Sequence, residues 1–258
     1  METLINHNNR NYKLDTKAGQ ITFLDSRFYL SDDGVFVPSV TTILEAYPKG
    51  AAYFQWLKSV GEDADEVRDE AGRRGSRVHS LTEVYDSGQE IKLMDDNGNI
   101  NMKLNEWKML ERYVEFRNKY PFEILLSEQT VVSKDLGTAG TLDRVILMNG
   151  KKILVDIKTS NAIYPSYWLQ LSAYKSMLSF IGVEVDEVAI LWLNAKTRTE
   201  GKKDAIQGIG WQLICKSDTT KDAELFKATM ALWKAENEDL KPKQLSYKLS
   251  YQLINQTV

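Results

Sequence analysis

The sequence has very little cysteine and histidine for a chain of 258 residues. Cys215 is the one cysteine, and His7 and His79 are the two histidines. A single cysteine excludes a disulfide framework within the chain. It also excludes any zinc or iron–sulfur centre that needs several thiolates from one molecule. The low cysteine content fits a reducing compartment.

Long apolar runs are missing as well. No stretch approaches the roughly 18 uninterrupted apolar residues of a membrane-spanning helix, and the first residues, METLINHNNRNYK, have no apolar signal core. The sequence therefore predicts a soluble protein that is neither secreted nor bound to a membrane. We expect it in the cytoplasm, or in the host cytoplasm if the protein is viral.

The chain also lacks an excess of positive charge, since its formal net charge is −3. A protein of this charge that binds nucleic acid must concentrate its positive charge locally. With no repeats and no evident linker, the length fits a single domain over residues 1–258. We expect residues 1–120 to form an N-terminal hairpin and helical region over the functional site, 121–216 a sheet core, and 217–258 a C-terminal helix and tail.

Hydrophobic patterning predicts a fold of the α/β class (α+β type), with a central mixed sheet flanked by helices. Ser39 is a candidate N-cap for a short helix. The charged segment 62–87 is predicted to be largely helical, with interruptions near Gly72 and Gly75. Further helices are predicted at 51–60, 104–120, 164–181 and 219–238, and strands at 122–133, 140–148, 152–158, 188–194 and 209–216.

The stretch GTLDRVILMNGKKILVDIKTS carries three charged residues in a chemically useful pattern. Its Asn-Gly turn predicts a hairpin, which brings Asp143 near Asp156. Asp156 and Lys158 differ by two positions, so both face one side of a strand while Ile157 faces the buried side. Two carboxylates suit Mg²⁺, which activates water, and a nearby lysine can orient that water for phosphodiester hydrolysis. Taken alone, DxK is more typical of an exposed ion pair at a strand end.

Other polar residues extend this pattern. His79 and Glu83 lie one turn apart on one face of a helix that Ser76 can cap, and imidazole is a common ligand for transition metals. Gln170 and Tyr174 lie one turn apart on the helix predicted at 164–181. Tyr174 also belongs to an apolar stripe, so the pattern leaves open whether it is a core residue or a site residue.

In chain order, the GxxxH segment from Gly75 to His79, then GTLDRV, DIKTS and QLSAY, resemble the motif series of RecB-type exonucleases in the PD-(D/E)XK superfamily. VPSVTTIL, followed by a short helix with a tryptophan, is similar to mitochondrial genome maintenance exonucleases and their bacteriophage-type relatives. The resemblance covers about residues 36–178. It implies a restriction-endonuclease-like core with an N-terminal helical region.

The resemblance also implies roles for the matching residues. The implied metal ligands, for one or two Mg²⁺ ions or Mn²⁺ in their place, are His79, Asp143, Asp156 and the carbonyl of Ile157. The implied catalytic residues are Asp143, Asp156, Lys158 and Gln170, with Lys158 serving the attacking water. The residues implied to support the site are Glu128, Tyr174 and Glu83.

Two groups of residues are candidates for holding DNA. Arg73, Arg74 and Arg77 precede the histidine and are expected beside the metal, where guanidinium groups suit phosphates, with Thr159 and Ser160 as further contacts. The aromatic residues of the helix at 51–60 could stack on unpaired bases. Their helical spacing favours packing in the core instead; they are Tyr53, Phe54 and Trp56.

The sequence therefore predicts a metal-dependent DNA exonuclease that prefers single-stranded ends and acts in replication, recombination or repair. Its expected partners are DNA and a single-strand-annealing or replication protein. No GxxxxGK[ST] phosphate loop is present, so we expect no nucleotide cofactor, and no membrane partner either. Two alternatives stay open: a structure- or sequence-specific endonuclease of the same fold, and a non-catalytic nucleic-acid-binding protein.

Overall fold

The computed structural model describes residues 3–7, 10–14, 19–23, 26–31, 34–198, 206–240 and 242. Their strands are β1 (Thr3–His7), β2 (Arg10–Leu14), β3 (Gln20–Phe23), β4 (Ser26–Leu30), β5 (Phe36–Pro38), β6 (Glu123–Ser133), β7 (Thr138–Met148), β8 (Lys151–Lys158), β9 (Glu187–Arg198) and β10 (Ile206–Lys216). Their helices are α1 (Val40–Ile43), α2 (Ala51–Val60), α3 (Ala64–Asp86), α4 (Leu104–Lys119), α5 (Pro165–Phe180) and α6 (Thr220–Glu236). Single 3₁₀ turns follow α1 at Leu44–Ala46 and α2 at Gly61–Asp63.

A mixed five-stranded sheet lies at the centre of the fold, in the order β10-β9-β8-β7-β6. Its neighbouring strands are antiparallel except for β8 and β9, which run parallel. A parallel pair needs a crossover connection, and α5 provides it. The predicted fold class, a mixed sheet flanked by helices, is confirmed. A smaller sheet, β3-β4-β5, joins β7 through a bridge between Ser39 and Ala139.

Each face of the sheet buries a separate apolar cluster, because side chains alternate along a strand. On one face, Ile153, Val155 and Ile157 of β8 pack with apolar residues of α3 and α4. On the other face, Leu154 of β8 and Val188 of β9 pack with residues of α5 and α6. The sheet is therefore covered on both sides.

The predicted hairpin is formed by β7 and β8. Asn149 and Gly150 have φ angles of 52° and 77°, as expected for a two-residue turn in which both residues take left-handed backbone. The ladder runs from the pair Met148/Lys151 to the pair Arg144/Val155. The next residues along the two strands are Asp143 and Asp156, which the sequence predicts to lie close together. The turn therefore sets the register of these two carboxylates.

The predicted interruptions near Gly72 and Gly75 are wrong, because α3 runs without a break from Ala64 to Asp86. A glycine costs about 1 kcal/mol in a helix interior relative to alanine. Buried residues later in α3, among them Val78 and Leu81, offset this cost by packing. Gly75 also has a local function, since a Cβ there would lie 3.4 Å from Thr159 Oγ1.

The core packing expected for the aromatic residues of α2 is also wrong. No residue of α2 is buried, and Phe54 is 52% exposed. The rings contact one another, with centroids 5.7 Å apart for Tyr53 and Phe54 and 5.8 Å for Tyr53 and Trp56. Helical periodicity reports that a helix has an apolar face, but it does not report what covers that face.

Ser39 caps α1 as predicted, and its Oγ accepts a hydrogen bond from the Thr42 amide at 3.0 Å. Among the described residues, no helix is both long and apolar enough to cross a membrane. The predicted tail beyond α6 falls largely outside the described residues, and the division of the chain into three parts stays a prediction.

Candidate active site

A cleft of about 650 Å³ lies between α3, the middle of β6 and β7, the end of β8, and the first half of α5. All the site residues predicted from the sequence line this cleft, with the exception of Arg73 and Arg77. The predicted residues in the cleft are Arg74, His79, Glu83, Glu128, Asp143, Asp156, Ile157, Lys158, Thr159, Ser160, Gln170 and Tyr174. Segments far apart in the chain therefore meet here.

His79, Glu128 and Asp143 form a group that can hold a metal ion, which we call the metal group. One ligand atom from each lies within 4.8 Å of the others. His79 Nδ1 is 3.3 Å from Asp143 Oδ1 and 4.0 Å from Glu128 Oε1. Its other ring nitrogen, Nε2, is 3.0 Å from the carbonyl oxygen of Ile157. When Nε2 carries the proton and donates it to that carbonyl, Nδ1 presents its lone pair to the group.

The Ile157 carbonyl, predicted as a metal ligand, is thus placed to orient the imidazole. Glu128, predicted only to support the site, is placed among the ligands. It lies in β6 between the pairs Ser127/Arg144 and Gln129/Leu142, and hence opposite Asp143. Its φ is 46°, an uncommon value for a residue other than glycine. Backbone of this kind persists where surrounding contacts hold it.

Asp143 lies one residue beyond the end of the β7–β8 ladder. Its Oδ2 accepts a hydrogen bond from the Ile157 amide at 2.6 Å, so a side-chain oxygen takes the place of a backbone acceptor. Asp156 is 3% exposed, and its carboxylate contacts Lys158 Nζ at 2.7 Å. Asp156 and Lys158 therefore share one face of β8, as their spacing predicts.

Lys158 is fixed by α5 as well as by Asp156. Its Nζ donates to Gln170 Oε1 at 3.0 Å and lies 4.4 Å from the centre of the Tyr167 ring. Gln170 Nε2 in turn donates to the Tyr174 hydroxyl at 3.3 Å. Tyr174 is 5% exposed and belongs to the core under α5. The core alternative for Tyr174 is thus confirmed, and its supporting role in the site stays a prediction.

Burial and nearby charges shift the pKa values of the acidic groups in the cleft. Burial, with repulsion from Asp143 second, raises the pKa of Glu128 to about 7. Burial also raises the pKa of Asp156 to about 6, although the Lys158 ammonium opposes this rise. Burial acts on Asp143 in the same sense, but the charge and hydrogen bond of His79, the Lys158 charge and the Ile157 amide together outweigh it and hold the Asp143 pKa below its ordinary value.

The basic groups keep their protons. Burial disfavours charge on His79, but Asp143 outweighs it and raises the pKa of His79 to about 9. Burial likewise opposes charge on Lys158, and the Asp156 and Asp143 carboxylates raise its pKa above the ordinary value nonetheless. The cleft therefore contains acidic groups that share protons and a lysine that remains an ammonium.

Only Arg74 of the three predicted arginines lines the cleft. Arg73 and Arg77 line a neighbouring cavity of about 700 Å³, together with Lys103 on the segment that leads into α4. Arg77 donates there to the carbonyl of Asn101 at 3.4 Å. The expected position beside the metal group thus applies to Arg74, and the contact of all three with DNA stays a prediction.

Two residues of the site were not identified from the sequence. Tyr167 lies under the Lys158 ammonium and one helical turn before Gln170, a spacing that could have indicated it. Arg144 is buried beside Asp143, and its Nη1 donates to Glu128 Oε1 at 3.1 Å. A charged residue directly before the apolar run VILM, on a predicted strand, was the available signal.

No protein-family model matches the chain, and no curated protein matches it. Among solved structures, the alkaline exonuclease LHK-Exo from Laribacter hongkongensis is similar over 78% of this chain and 90% of its own, with 12% identity and a TM-score of 0.37. LHK-Exo in complex with dAMP gives 13% identity and a TM-score of 0.36 over the same shares. SSO0001 gives 15% identity and a TM-score of 0.28 over 63% of this chain and 71% of its own. Similarity this low carries no argument about function, which rests on the side chains of the cleft.

Proposed function

We propose that the chain is a divalent-metal-dependent nuclease of the PD-(D/E)XK type that degrades DNA from free single-stranded ends. The observation that carries this proposal is the meeting of the metal group, Asp156 and Lys158 in one cleft. We place its activity in replication, recombination or repair. We also propose a cytoplasmic location, which the single cysteine favours. We further propose that a single-strand-annealing or replication protein recruits the nuclease.

The residues present fit Mg²⁺ or Mn²⁺. Carboxylate oxygens are the ligands that Mg²⁺ prefers, and imidazole also suits transition metals. His79, Glu128 and Asp143 would hold the ion, with Asp156 beside them. Burial and the neighbouring Asp143 charge raise the pKa of Glu128, so a bound cation would stabilise its charged form. When bound, the metal supplies Lewis-acid activation of water and phosphate.

Lys158 orients the attacking water and stabilises the negative charge that develops on the phosphate. Its ammonium is held between Asp156 Oδ2 and Gln170 Oε1, so its position is set before substrate arrives. Donors fixed in this way need no reorganisation during the reaction, which is the main advantage of an enzyme site over water. The raised pKa of Lys158 keeps its side chain charged in this role.

Arg74 is the candidate for holding the phosphate backbone in the cleft. Its buried Nε has no hydrogen-bond partner among the described residues, and such groups call for a partner from a ligand or solvent. Thr159 and Ser160 line the same cleft. The exposed ring of Phe54 and the half-buried rings of Tyr53 and Trp56 would stack on unpaired bases and so favour single strands.

The test is digestion of end-labelled linear single-stranded DNA beside a circular control, with Mg²⁺ and with EDTA. We expect metal-dependent loss of the linear strand alone. Lys158→Ala should lower the rate on the order of 10²–10³-fold, the usual effect of removing a fixed charge-stabilising donor. The matched control is Lys108→Ala, which changes an exposed lysine of α4 far in sequence from the site and should digest DNA at the wild-type rate.

The two alternatives give different outcomes. Cutting of the circle would show an endonuclease. A chain that binds single-stranded DNA, leaves linear and circular substrates intact, and has the same melting temperature with Mn²⁺ and with EDTA would be a non-catalytic binding protein.

A further inference from the structure

Arg144 is an arginine in the interior of the protein, directly after Asp143 in β7. It is 1% exposed and is the largest side chain among the fully buried ones in the described residues. A buried guanidinium is costly unless charge partners and hydrogen bonds surround it. The groups that surround this one belong to the elements that carry the metal group.

Two of its contacts are made with the metal group itself. Nη1 donates to Glu128 Oε1 at 3.1 Å and to the carbonyl oxygen of Asp143 at 2.8 Å. One nitrogen therefore holds the side chain of one ligand and the backbone of another. The contact to Glu128 also helps to hold a residue whose φ of 46° is unfavourable for its type.

The other two contacts reach the helix that carries His79. Nη2 donates to Thr82 Oγ1 at 3.3 Å, and Nε donates to Asp86 Oδ2 at 3.2 Å. Thr82 Oγ1 donates in turn to the His79 carbonyl oxygen at 2.8 Å. A single guanidinium thus connects α3, β6 and β7, the three elements from which the metal ligands come.

We propose that Arg144 is a positioning residue that sets the spacing of His79, Glu128 and Asp143 for the metal ion. This inference rests on the proposed function, since it needs the metal group to bind metal. Arg144 does not line the cleft, so it acts through the ligands and not on the substrate. Groups that orient metal ligands in this way commonly change metal affinity about 10–100-fold when they are altered.

A purely structural role predicts a different pattern, and Arg117 provides the matched control. Its Nε lies 3.3 Å from Asp86 Oδ1, on the opposite side of the same carboxylate, and its Nη1 donates to the Phe122 carbonyl at 3.0 Å. Arg117 therefore shares a partner with Arg144 but contacts none of the metal ligands in the described residues. Arg144→Lys and Arg117→Lys make the same chemical change on the two sides of Asp86.

In the experiment, the metal-free full chain is titrated with Mn²⁺ in the absence of DNA. Water-proton relaxation measures the binding, and circular dichroism confirms that each variant is folded. We expect Arg144→Lys to weaken Mn²⁺ binding about 10–100-fold. Arg117→Lys should bind within about twofold of wild type. If Arg144→Lys does not fold, Thr82→Val, which keeps the cation and removes the hydroxyl bound to the His79 carbonyl, should weaken binding by at least about tenfold.

The outcomes separate the two proposals. Wild type that binds Mn²⁺, with Arg144→Lys or Thr82→Val binding it equally well, overturns the positioning role and leaves the nuclease proposal in place. Equal weakening in Arg144→Lys and Arg117→Lys also overturns it, because loss of stability would then explain both. Wild type that binds no Mn²⁺ overturns the proposed metal site and the positioning role with it.

Discussion

Gly140 in β7 is the position where one added methyl group perturbs the packing behind the site most directly. A Cβ there would lie 2.5 Å from Tyr174 Cε1 and 2.8 Å from the Tyr174 hydroxyl oxygen. Carbon atoms pack at about 3.5–4.0 Å, so the ring or the strand must move by about 1 Å. Tyr174 is 5% exposed and its ring packs in the core, so any shift of the ring disturbs packed neighbours on its core side.

The magnitude follows from two effects. Overpacking of a filled core costs about 1–3 kcal/mol. For a chain of this size, each kcal/mol lowers the melting temperature by about 2–4 °C, so Gly140→Ala should melt about 2–12 °C below wild type. The displaced hydroxyl is also the partner of Gln170, which holds Lys158. A shift of about 1 Å in such a group can lower the rate of digestion about 10²-fold.

The assay pairs Gly140→Ala with Gly72→Ala in thermal unfolding. Gly72 is in the interior of α3, and a Cβ there meets nothing within 4 Å. The same change at Gly72 should therefore stabilise the protein by about 0.5–1 kcal/mol, because alanine favours the helix. Gly140→Ala that melts at the wild-type temperature and digests DNA at the wild-type rate would refute the packing argument.

Three further predictions concern the metal, the aromatic helix and a buried tyrosine. Mn²⁺ at 100 times its dissociation constant should raise the free energy of unfolding by about 2.7 kcal/mol, and hence the melting temperature by about 5–11 °C, whereas no rise in His79→Ala is expected. Phe54→Ala should leave stability within about 0.5 kcal/mol of wild type but weaken binding of a single-stranded oligonucleotide about 5–150-fold, and unchanged binding would remove α2 from the DNA site. Burial, and then the Asp86 carboxylate, raise the pKa of Tyr113 far above its usual 10.0, so its neutral phenol contributes stability that is present below pH 10 and lost as the pH rises further. As the pH rises to 11, the free energy of unfolding in urea should therefore fall by about 1.4 kcal/mol less for Tyr113→Phe than for wild type. Equal losses in the two proteins would contradict the raised pKa.

The part of the site that a hairpin turn determines could be predicted from the sequence. The Asn-Gly pair sets the register of β7 and β8, and the alternation of strand side chains then sets the faces. The neighbourhood of Asp143 and Asp156 and the shared face of Asp156 and Lys158 follow from these two local rules. The buried position of Ile157 was predicted in the same way and is confirmed.

The parts that depend on distant contacts could not be predicted in the same way. Arg144 finds Asp86 and Thr82 at separations of 58 and 62 residues, and no local rule pairs them. The position of Glu128 beside His79 and Asp143 is accompanied by left-handed backbone at this residue, for which glutamate carries no sequence signal. The sequence identifies Glu128 as a candidate, but it does not predict that its carboxylate lies beside His79 and Asp143.

The errors in α2 and α3 have a common cause. The glycines of the sequence predict breaks in α3, and the aromatic spacing predicts burial of α2. Local propensity amounts to about 1 kcal/mol per glycine, which the packing of Val78 and Leu81 against other elements outweighs. The exposure of Phe54 is likewise a result of where the helix lies and not of its own pattern.

The central claim is that His79, Glu128 and Asp143 hold a divalent cation in the cleft. Anomalous diffraction from crystals of the wild-type protein grown with Mn²⁺ tests this claim most directly. We predict an anomalous peak within about 2.5 Å of a ligand atom from each of the three residues, close to Asp156 and Lys158. Full-occupancy Mn²⁺ elsewhere in the protein with none in this cleft would contradict the account.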